Sequence, residues 1–434
     1  MTDDRTSDPT FPSLHGRPAR GWVNDPNGLA RVGGRYHVFF QHNPDVPRHE
    51  AVSWGHASSA DLVTWTQEPV ALRPRHGQPD QAGCWTGCVT LDEGVPTAVY
   101  SGVEDHSGAS RVLLARSGRD LRSWTHEDRP AVGMPGDPAV TDVRDPFLFH
   151  AFGRRYAVQG AGSPGGAPGL LVYAADDLTD WQELGSLLSA DDPIAAEVAP
   201  ANIWECPNLV QVDDRWLLVL SLWRSVAGRH ELAGVRYLVG DLVLEGAAPR
   251  FVPAAGGWVD TGPCFYAPQL LADEGRVLMW AWSWERDRDQ DVVDAAGWAG
   301  CLTFPRVLSL AGDLLVSTPA PELAALRRSA RQVEPGAAFV ASAFELELPA
   351  GAASLHLEHA DGSRERVADW TVPGTPLSQP RLLVDGSMVE VFPGTPTTLT
   401  TRAYPGVGSR WRVDTEAPSP VPGHLLARPA VEPV

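Results

Sequence analysis

Short runs of β-branched, aromatic and leucine residues, each bounded by Gly, Pro, Asn or Asp, follow one another along the first three quarters of the chain. No segment there sustains the 3.6-residue spacing of an amphipathic helix, so the pattern predicts strands joined by turns. The runs recur in register, with these residues in the same phase: Tyr36, Thr97, Tyr156, Trp216 and Val277. The intervals of 59 to 61 residues define five similar units.

A second repeat has nearly the same period. The motif Asp-Leu-x-x-Trp ends at Trp65, Trp124 and Trp181, and we interpret these indoles as packing residues within each unit. Repeats of this length, made of short strands, are typical of the blades of a propeller. The sequence therefore predicts an all-β fold whose main part, residues 13–318, is a five-bladed β-propeller.

The pattern changes after the repeats end. The stretch PAPELAALRRSARQ predicts a linker helix over residues 319–333. Alternating runs then follow, with a hairpin signal at Asp385-Gly386. Residues 334–434 are therefore predicted to form a β-sandwich, and residues 1–12, which are polar, a disordered N-terminal tail.

Charge narrows the function classes. The net charge is −19 and every one of the 35 basic residues is Arg. A strongly acidic chain repels nucleic acids and anionic membranes, so neither is expected as a partner. The lack of Lys removes Schiff-base chemistry and a P-loop lysine. The acidic start MTDDRTSDPT has no apolar segment, so we expect a cytoplasmic location.

The five cysteines indicate no disulfide framework. They are odd in number and mostly far apart, which suits reduced, buried thiols. Cys84 and Cys88 are spaced for a metal clip, but no second pair or nearby His completes such a site. We therefore predict no metal and no cofactor.

Three acids share one phase of the repeat. Asp25, Asp145 and Glu205 each lie eleven residues before the strand marker of their unit. The same phase of the other two units holds Trp85-Thr86 and Phe265-Tyr266. Each acid alone is most simply a turn or cap residue. Equivalent positions of propeller blades face the same end of the central channel, so the three together predict a functional site.

Converging carboxylates with aromatic neighbours favour sugar chemistry. Carboxylates that share a pocket cannot all ionise freely, so one is held protonated and can serve as an acid. Hydrolysis of a glycosidic bond needs one carboxylic acid and one carboxylate. The partner expected for this site is a small carbohydrate.

An ordered series of motifs runs along the chain: WVNDPNG, FFQHNP, WGHASSADLVTW, VRDPFLF, WECPNLV, FYAPQ, GWAGCLTFPR, DGSMVEVFPG and TTRAYPG. The resemblance of this series is to glycoside hydrolase family 32, the invertases and fructanases. It implies a retaining hydrolase that releases terminal β-D-fructofuranose through a covalent fructosyl-enzyme. In that reading Asp25 matches the nucleophile, Glu205 the general acid/base and Asp145 the transition-state stabiliser.

The same resemblance implies further substrate-binding residues. They are Asn24, Gln41, His49, Trp85, Thr86, Arg144, Tyr266 and Trp298. Cys206 is expected to form an apolar wall that raises the pKa of Glu205; the alternative is simple packing. The chain differs from the residues usual in the family at Val23, His49 and Cys264. These differences affect the expected binding beyond the fructose ring and the expected hydrogen bonding around Tyr266.

Other functions stay open at this point. Sucrose or a short β-fructoside is the expected substrate, with an inulin- or levan-type fructan or a phosphorylated sucrose as alternatives. A remoter alternative is an inverting arabinan-type propeller hydrolase, in which the two carboxylates stand further apart to admit water. The last is a non-catalytic carbohydrate-binding propeller.

Overall fold

The computed structural model describes residues 8–105, 107–163 and 166–429. They are mostly β-strand, which confirms the all-β prediction. The first two sheets are antiparallel meanders that follow chain order. Their strands are β1 (Gly21–Val32), β2 (Arg35–Asn43), β3 (Ser53–Ser59) and β4 (Trp65–Gln67), then β5 (Gly83–Asp92), β6 (Val95–Val103), β7 (Arg111–Ser117) and β8 (Trp124–His126).

The third sheet has eight strands in two meanders. They are β9 (Asp142–Ala151), β10 (Arg154–Gly162), β11 (Gly169–Ala174) and β12 (Gln182–Ser189), then β13 (Ile203–Val212), β14 (Arg215–Val226), β15 (Arg229–Glu245) and β16 (Ala248–Asp260). The two halves join through one residue pair, Gly162 with Ile203. Helix α1 (Pro193–Val198) connects them, and the Asp192 side chain caps its first turn.

The fourth sheet is built around the last repeat. Its strands are β17 (Tyr266–Asp273), β18 (Arg276–Ser283), β20 (Cys301–Leu302), β21 (Arg306–Ala311) and β22 (Leu314–Pro319). Helix α2 (Gln290–Ala296) leads into the two-residue strand β19 (Trp298–Ala299), which instead pairs in parallel with β1. This pairing brings the end of the repeat region against its beginning.

The linker prediction is wrong in extent. A 3₁₀ helix covers only Pro321–Leu326, and Arg327–Val333 is strand β23. This strand pairs with the last strand of the chain, β32 (Val421–Leu426). Pairing between distant segments has overridden the helix-favouring composition of the stretch, as tertiary context commonly does.

The C-terminal part consists of two sheets. The other strands are β24 (Ala338–Phe339), β25 (Ala343–Glu347), β26 (Gly351–Glu358), β27 (Arg364–Val372), β28 (Arg381–Asp385), β29 (Met388–Phe392), β30 (Leu399–Arg402) and β31 (Arg410–Thr415). The sheet orders are β23-β32-β25-β28-β29-β30 and β24-β31-β26-β27. One buried cluster draws on both sheets, including Phe344 and Val384 from the first and Leu355 and Trp411 from the second.

Buried ion pairs attach this C-terminal part to the repeats. Arg306 is fully buried and donates to Asp260 (2.9 Å) and Glu390 (2.7 Å). The His15 ring lies between Asp385 (2.7 Å) and Glu390 (3.2 Å). Removing one partner from such a buried group leaves an uncompensated charge, so the attachment depends on all of them.

The predicted disordered tail is only partly covered by the structure. Residues 1–7 lie outside the described residues. The described residues from Asp8 to Pro12 are packed, since the Thr10 carbonyl accepts from the Ser387 N–H and Phe11 meets Trp298 edge to face. The prediction of disorder is therefore wrong for these positions.

All five cysteines are unpaired and buried, as expected for reduced thiols. Within the described ranges, no helix has the length and apolar character needed to cross a bilayer.

Candidate active site

A β-bulge recurs in the first strand of each repeat. At one common phase, strands β1, β5, β9, β13 and β17 each insert one extra residue against their hairpin partner, and β1 has a second insertion further on. The insertions at the common phase lie between Val23 and Pro26, Cys84 and Gly87, Arg144 and Phe147, Glu205 and Asn208, and Tyr266 and Gln269. A bulge re-aims the side chains around it. It falls at the phase where the sequence has its three acids.

Hydrogen bonds connect these bulges from one repeat to another. Each joins two residues 61 positions apart: Thr86 Oγ1 to Asp25 Oδ2 (2.6 Å), Cys206 N–H to Asp145 Oδ2 (2.9 Å), Arg144 Nε to Glu205 Oε1 (3.2 Å) and Tyr266 Oη to Glu205 Oε2 (2.8 Å). The backbone at Asp145 and Cys206 is left-handed, with φ of 62° and 47°. Such strain persists where the surrounding structure enforces it, commonly at functional sites.

Asp25 is surrounded by neutral donors. Besides the Thr86 hydroxyl, its carboxylate accepts from Asn24 Nδ2 (3.0 Å) and Gln41 Nε2 (3.3 Å). Burial raises the pKa of Asp25, and the hydrogen bonds from Thr86 and Asn24 oppose that rise. Donors that favour the charged form keep a partly buried carboxylate available as an anion.

Glu205 has a cation and a phenol on its two oxygens. Burial raises the pKa of Glu205, whereas Arg144 and the Tyr266 hydroxyl lower it. Arg144 is itself shared, because its Nη2 also donates to Asp142 (3.1 Å). Burial, followed by the Glu205 charge, raises the pKa of Tyr266 well above its usual value, so the phenol remains a donor.

Asp145 is the most deeply buried of the three acids, with 4% of its surface exposed. Burial and the charge of Glu205 raise the pKa of Asp145, and Arg144 opposes them. Cys206 Sγ lies 3.6 Å from Asp145 and 3.7 Å from Asp25. Cys206 therefore lies between the two aspartates, and its thiol contacts them, whereas the expected apolar wall was against Glu205.

Most of the other expected binding residues meet the acids. Gln41 bridges Thr86 (2.7 Å), Asn24 (3.0 Å) and His49 (3.3 Å). The Trp85 ring lies 5.7 Å from the Arg144 guanidinium. These side chains form one continuous cluster with the acids.

Trp298 belongs to a different cluster. Its indole donates to Asp8 (2.9 Å), and the guanidiniums of Arg288 (4.5 Å) and Arg17 (4.7 Å) lie over its ring. Only 2% of Trp298 is exposed. Trp298 therefore packs between Asp8 of the N-terminal segment and the guanidiniums of Arg17 and Arg288, and not with the acids.

Sequence reasoning missed four residues of the site. Asp142 holds Arg144, and the rings of Trp22, Trp282 and Trp284 continue the aromatic surroundings, with centroids 5.7 Å apart along that series. A signal existed for Trp22 and Asp142, since both lie within three residues of a phase-matched acid. Trp282 and Trp284 lie in the alternating run MWAWSWE, which predicts a strand but not which of its faces borders a site.

The arrangement provides the groups that glycoside hydrolysis requires. One carboxylate has neutral donors that favour the anion, and two further buried carboxylates share the field of a single arginine and can retain a proton. Among the described residues, no group of three or more His, Cys, Asp or Glu side chains is arranged to hold a metal ion.

Comparison with known proteins places this geometry in a family. Residues 15–319 match the model of the glycosyl hydrolases family 32 N-terminal domain. A raffinose invertase of Escherichia coli is 31% identical over 447 residues, covering 92% of this chain and 90% of the relative. A sucrose-6-phosphate hydrolase of Escherichia coli is 28% identical, covering 93% and 91%. The fold is similar to that of the Bombyx mori GH32 beta-fructofuranosidase, with a TM-score of 0.82, 23% identity and coverage of 99% and 97%. This chain belongs to glycoside hydrolase family 32.

Proposed function

We propose that the protein is a retaining β-fructofuranosidase that releases terminal β-D-fructofuranose from sucrose or short β-fructosides. The observation that carries the proposal is the convergence of Asp25, Asp145 and Glu205 on three bulges joined by hydrogen bonds. The names of the relatives, an invertase and a sucrose-6-phosphate hydrolase, support the same substrate class.

Asp25 acts as the nucleophile in this proposal. Its carboxylate attacks the anomeric carbon of fructose, and the bond to the leaving oxygen breaks. Thr86, Asn24 and Gln41 orient the attacking group, since all three donate to it. A covalent fructosyl-enzyme forms, and water then cleaves it with retention of configuration.

Glu205 acts as the general acid and then as the general base. It gives its proton to the leaving oxygen and later accepts one from the attacking water. In the free enzyme burial and the charge of Glu205 raise the pKa of Asp145, and burial, Asp25 and Asp142 raise that of Glu205, so these carboxyls do not all ionise freely. Sugar hydroxyls that donate to Asp145 favour its anion, which leaves the proton on Glu205.

Asp145 stabilises the transition state without a covalent bond. The fructose ring gains positive charge as the leaving group departs, and hydrogen bonds from its hydroxyls to Asp145 strengthen at that moment. The Cys206 N–H donates to Asp145 at 2.9 Å and fixes its position. This rigidity preorganises the carboxylate for the developing charge.

The finer architecture is part of the proposal. We infer that residues 13–318 form five propeller blades, with the two halves of the eight-stranded sheet as the third and fourth. Support comes from the bulge at the same phase of all five repeats and from the pairing of β19 with β1. We infer a β-sandwich over residues 334–434, supported by the buried cluster shared between its sheets.

A cytoplasmic location is also proposed, supported by five unpaired thiols. Two relatives are named for other substrates. A fructan 1-exohydrolase of Aegilops speltoides is 32% identical over 73% of this chain, and a sucrose-6-phosphate hydrolase of Escherichia coli is 28% identical over 93% of it. Exo-acting fructan hydrolysis and sucrose-6-phosphate hydrolysis are therefore the alternative activities.

The first anomer released tests the mechanism. Sucrose is mixed with enzyme in the NMR tube, and spectra are recorded before the fructose equilibrates. A retaining enzyme gives β-fructofuranose first, and Asp25→Asn serves as the inactive control. Initial release of the α-anomer would contradict the covalent route and favour an inverting enzyme.

A further inference from the structure

A series of aromatic rings lies beside the acids. It begins in the second repeat, continues through the first and ends in the fifth. Neighbouring centroids lie 5.7 to 6.3 Å apart in the order Trp85, His49, Trp22, Trp282, Trp284 and Tyr266. Both ends contact groups bonded to Glu205, since Trp85 meets Arg144 and the Tyr266 hydroxyl donates to Glu205. The series therefore meets the acid cluster at both of its ends.

Trp284 lies at the Glu205 end of this series. It follows Ser283, the last residue of β18, and is half-buried. Its ring centroid is 6.1 Å from that of Tyr266 and 5.7 Å from that of Trp282. Trp284 is therefore partly exposed, and its ring neighbours the phenol that donates to Glu205.

The next residue holds Trp284 in place. The Glu285 carboxylate accepts from Arg402 (2.8 Å), Tyr404 (2.8 Å), Arg288 (3.1 Å) and the Gly300 N–H (2.9 Å). Two of these partners belong to the C-terminal part of the chain. With its neighbour fixed by four donors, the indole is preorganised rather than ordered on binding, which reduces the entropic cost of a contact.

The leaving group of the reaction must lie on this side. This step rests on the proposed function, in which Glu205 gives its proton to the leaving oxygen. Tyr266 occupies the Oε2 side of that acid, so a sugar attached to the leaving oxygen meets the aromatic surface beyond Tyr266. The C–H face of a pyranose ring packs well on an indole, since both surfaces are flat and apolar.

The charges around this surface do not suit a phosphate. The acid cluster contains the carboxyl groups of Asp142 and of the three candidate catalytic acids. Arg144 is shared between two of them, Asp142 and Glu205. On the other side of Trp284, Arg288 and Arg402 both donate to Glu285. A phosphate dianion would meet four carboxyl groups that share a single arginine, and guanidiniums that already have a partner.

We propose that Trp284 is a specificity-determining residue that stacks on a neutral leaving sugar, and that the enzyme discriminates against β-fructosides whose leaving sugar is phosphorylated. Sucrose and neutral fructo-oligosaccharides are thus the preferred substrates over sucrose 6-phosphate.

Three substrates and four variants test this inference. The substrates are sucrose, sucrose 6-phosphate and methyl β-D-fructofuranoside, whose methanol leaving group is too small to stack. In the wild type, kcat/KM for sucrose exceeds that for sucrose 6-phosphate at least tenfold. Trp284→Ala lowers the ratio of kcat/KM for sucrose to that for the methyl fructoside by about tenfold, mainly through KM, because only sucrose loses a stacking contact. Trp284→Phe keeps a ring and recovers most of the ratio.

The controls separate stacking from general damage. Trp258→Ala removes another partly exposed indole, which packs on Arg236, and keeps the wild-type ratio. If Trp284→Ala does not fold, Trp284→Leu, which keeps apolar volume without a flat face, must show the same fall.

Two results overturn the inference. One is an equal loss on sucrose and the methyl fructoside in the Trp284 variants; the other is sucrose 6-phosphate being used as well as sucrose by the wild type. Fructose release from the methyl fructoside by the wild type distinguishes failure of the Trp284 inference from failure of the proposed function. If it occurs, only the role of Trp284 falls; if no substrate yields fructose, both proposals fall.

Discussion

Tyr266→Phe should move the alkaline limb of the pH profile to higher pH. The Tyr266 hydroxyl donates to Glu205 Oε2 at 2.8 Å, and this bond lowers the pKa of Glu205 against the rise caused by burial. Phe keeps the ring and its contact with Trp284 while removing the donor. The carboxylate form of Glu205 then loses stabilisation that the protonated form does not need, so the pKa rises.

The size of the shift follows from the strength of the bond. A hydrogen bond to a charged group contributes about 1.5–3 kcal/mol, and one pKa unit corresponds to about 1.36 kcal/mol. The expected displacement is therefore about one to two pH units. Tyr266 stays protonated across the range because burial and the charge of Glu205 raise its own pKa, so titration of the phenol does not obscure the result.

The assay is kcat/KM for sucrose between pH 4 and pH 10, measured for the wild type and the variant. Tyr36→Phe is a matched control, since the Tyr36 hydroxyl also donates to a buried carboxylate, Asp273, at 2.8 Å. That variant should keep the wild-type profile. An alkaline limb that stays in place or moves to lower pH in Tyr266→Phe would refute the assignment of Glu205 as the proton donor.

Four further outcomes are expected. Asp145→Asn should fold normally but lose at least about a hundredfold in kcat, because a neutral amide stabilises the developing positive charge poorly; turnover near the wild-type value would contradict this. Glu205→Ala should regain rate with azide, which needs no general base, and yield β-fructosyl azide; an equal azide response in Asp25→Ala would contradict the assignment of the two roles. Arg306→Met should cost about 3–5 kcal/mol in the free energy of unfolding, since Asp260 and Glu390 lose their buried partner; a loss below 1 kcal/mol in denaturant unfolding would count against it. Burial alone would lower the pKa of His15, but Asp385 and Glu390 outweigh it and raise that pKa. The contribution of protonated His15 to folding stability is full below the unfolded pKa of about 6.5 and is lost as pH rises through the folded pKa. The melting temperature of the wild type should therefore fall more steeply from pH 6 to pH 9 than that of His15→Gln.

The repeat explains why the site could be predicted. A constant period places the same phase of each unit at the same point of its first strand, so Asp25, Asp145 and Glu205 were expected to meet. The structure joins residues of this phase by hydrogen bonds spaced 61 positions apart. Local pattern and period were sufficient because each strand pairs mainly with its neighbour in sequence.

Features that depend on distant partners were not predictable in this way. Strand β23 pairs with residues about a hundred positions further on, as in Arg327 with Leu426, and no local signal announces such a partner. The bulges were also hidden, because these strands are buried on both faces and lack the clean alternation whose phase an inserted residue would shift. Trp298 was assigned by its place in a motif, which does not specify the direction of its side chain.

The most direct measurement is the identification of the covalently modified residue. Glu205→Ala is incubated with a β-fructoside whose leaving group needs no protonation, such as one with an acidic phenol, so that the intermediate forms but is not cleaved. The protein is then digested and analysed by mass spectrometry. We expect an added fructosyl group on the peptide that contains Asp25, and its absence when Asp25→Ala is combined with Glu205→Ala. A fructosyl group on Asp145 or another residue, or rapid release of fructose with no covalent adduct, would contradict a retaining mechanism with Asp25 as nucleophile.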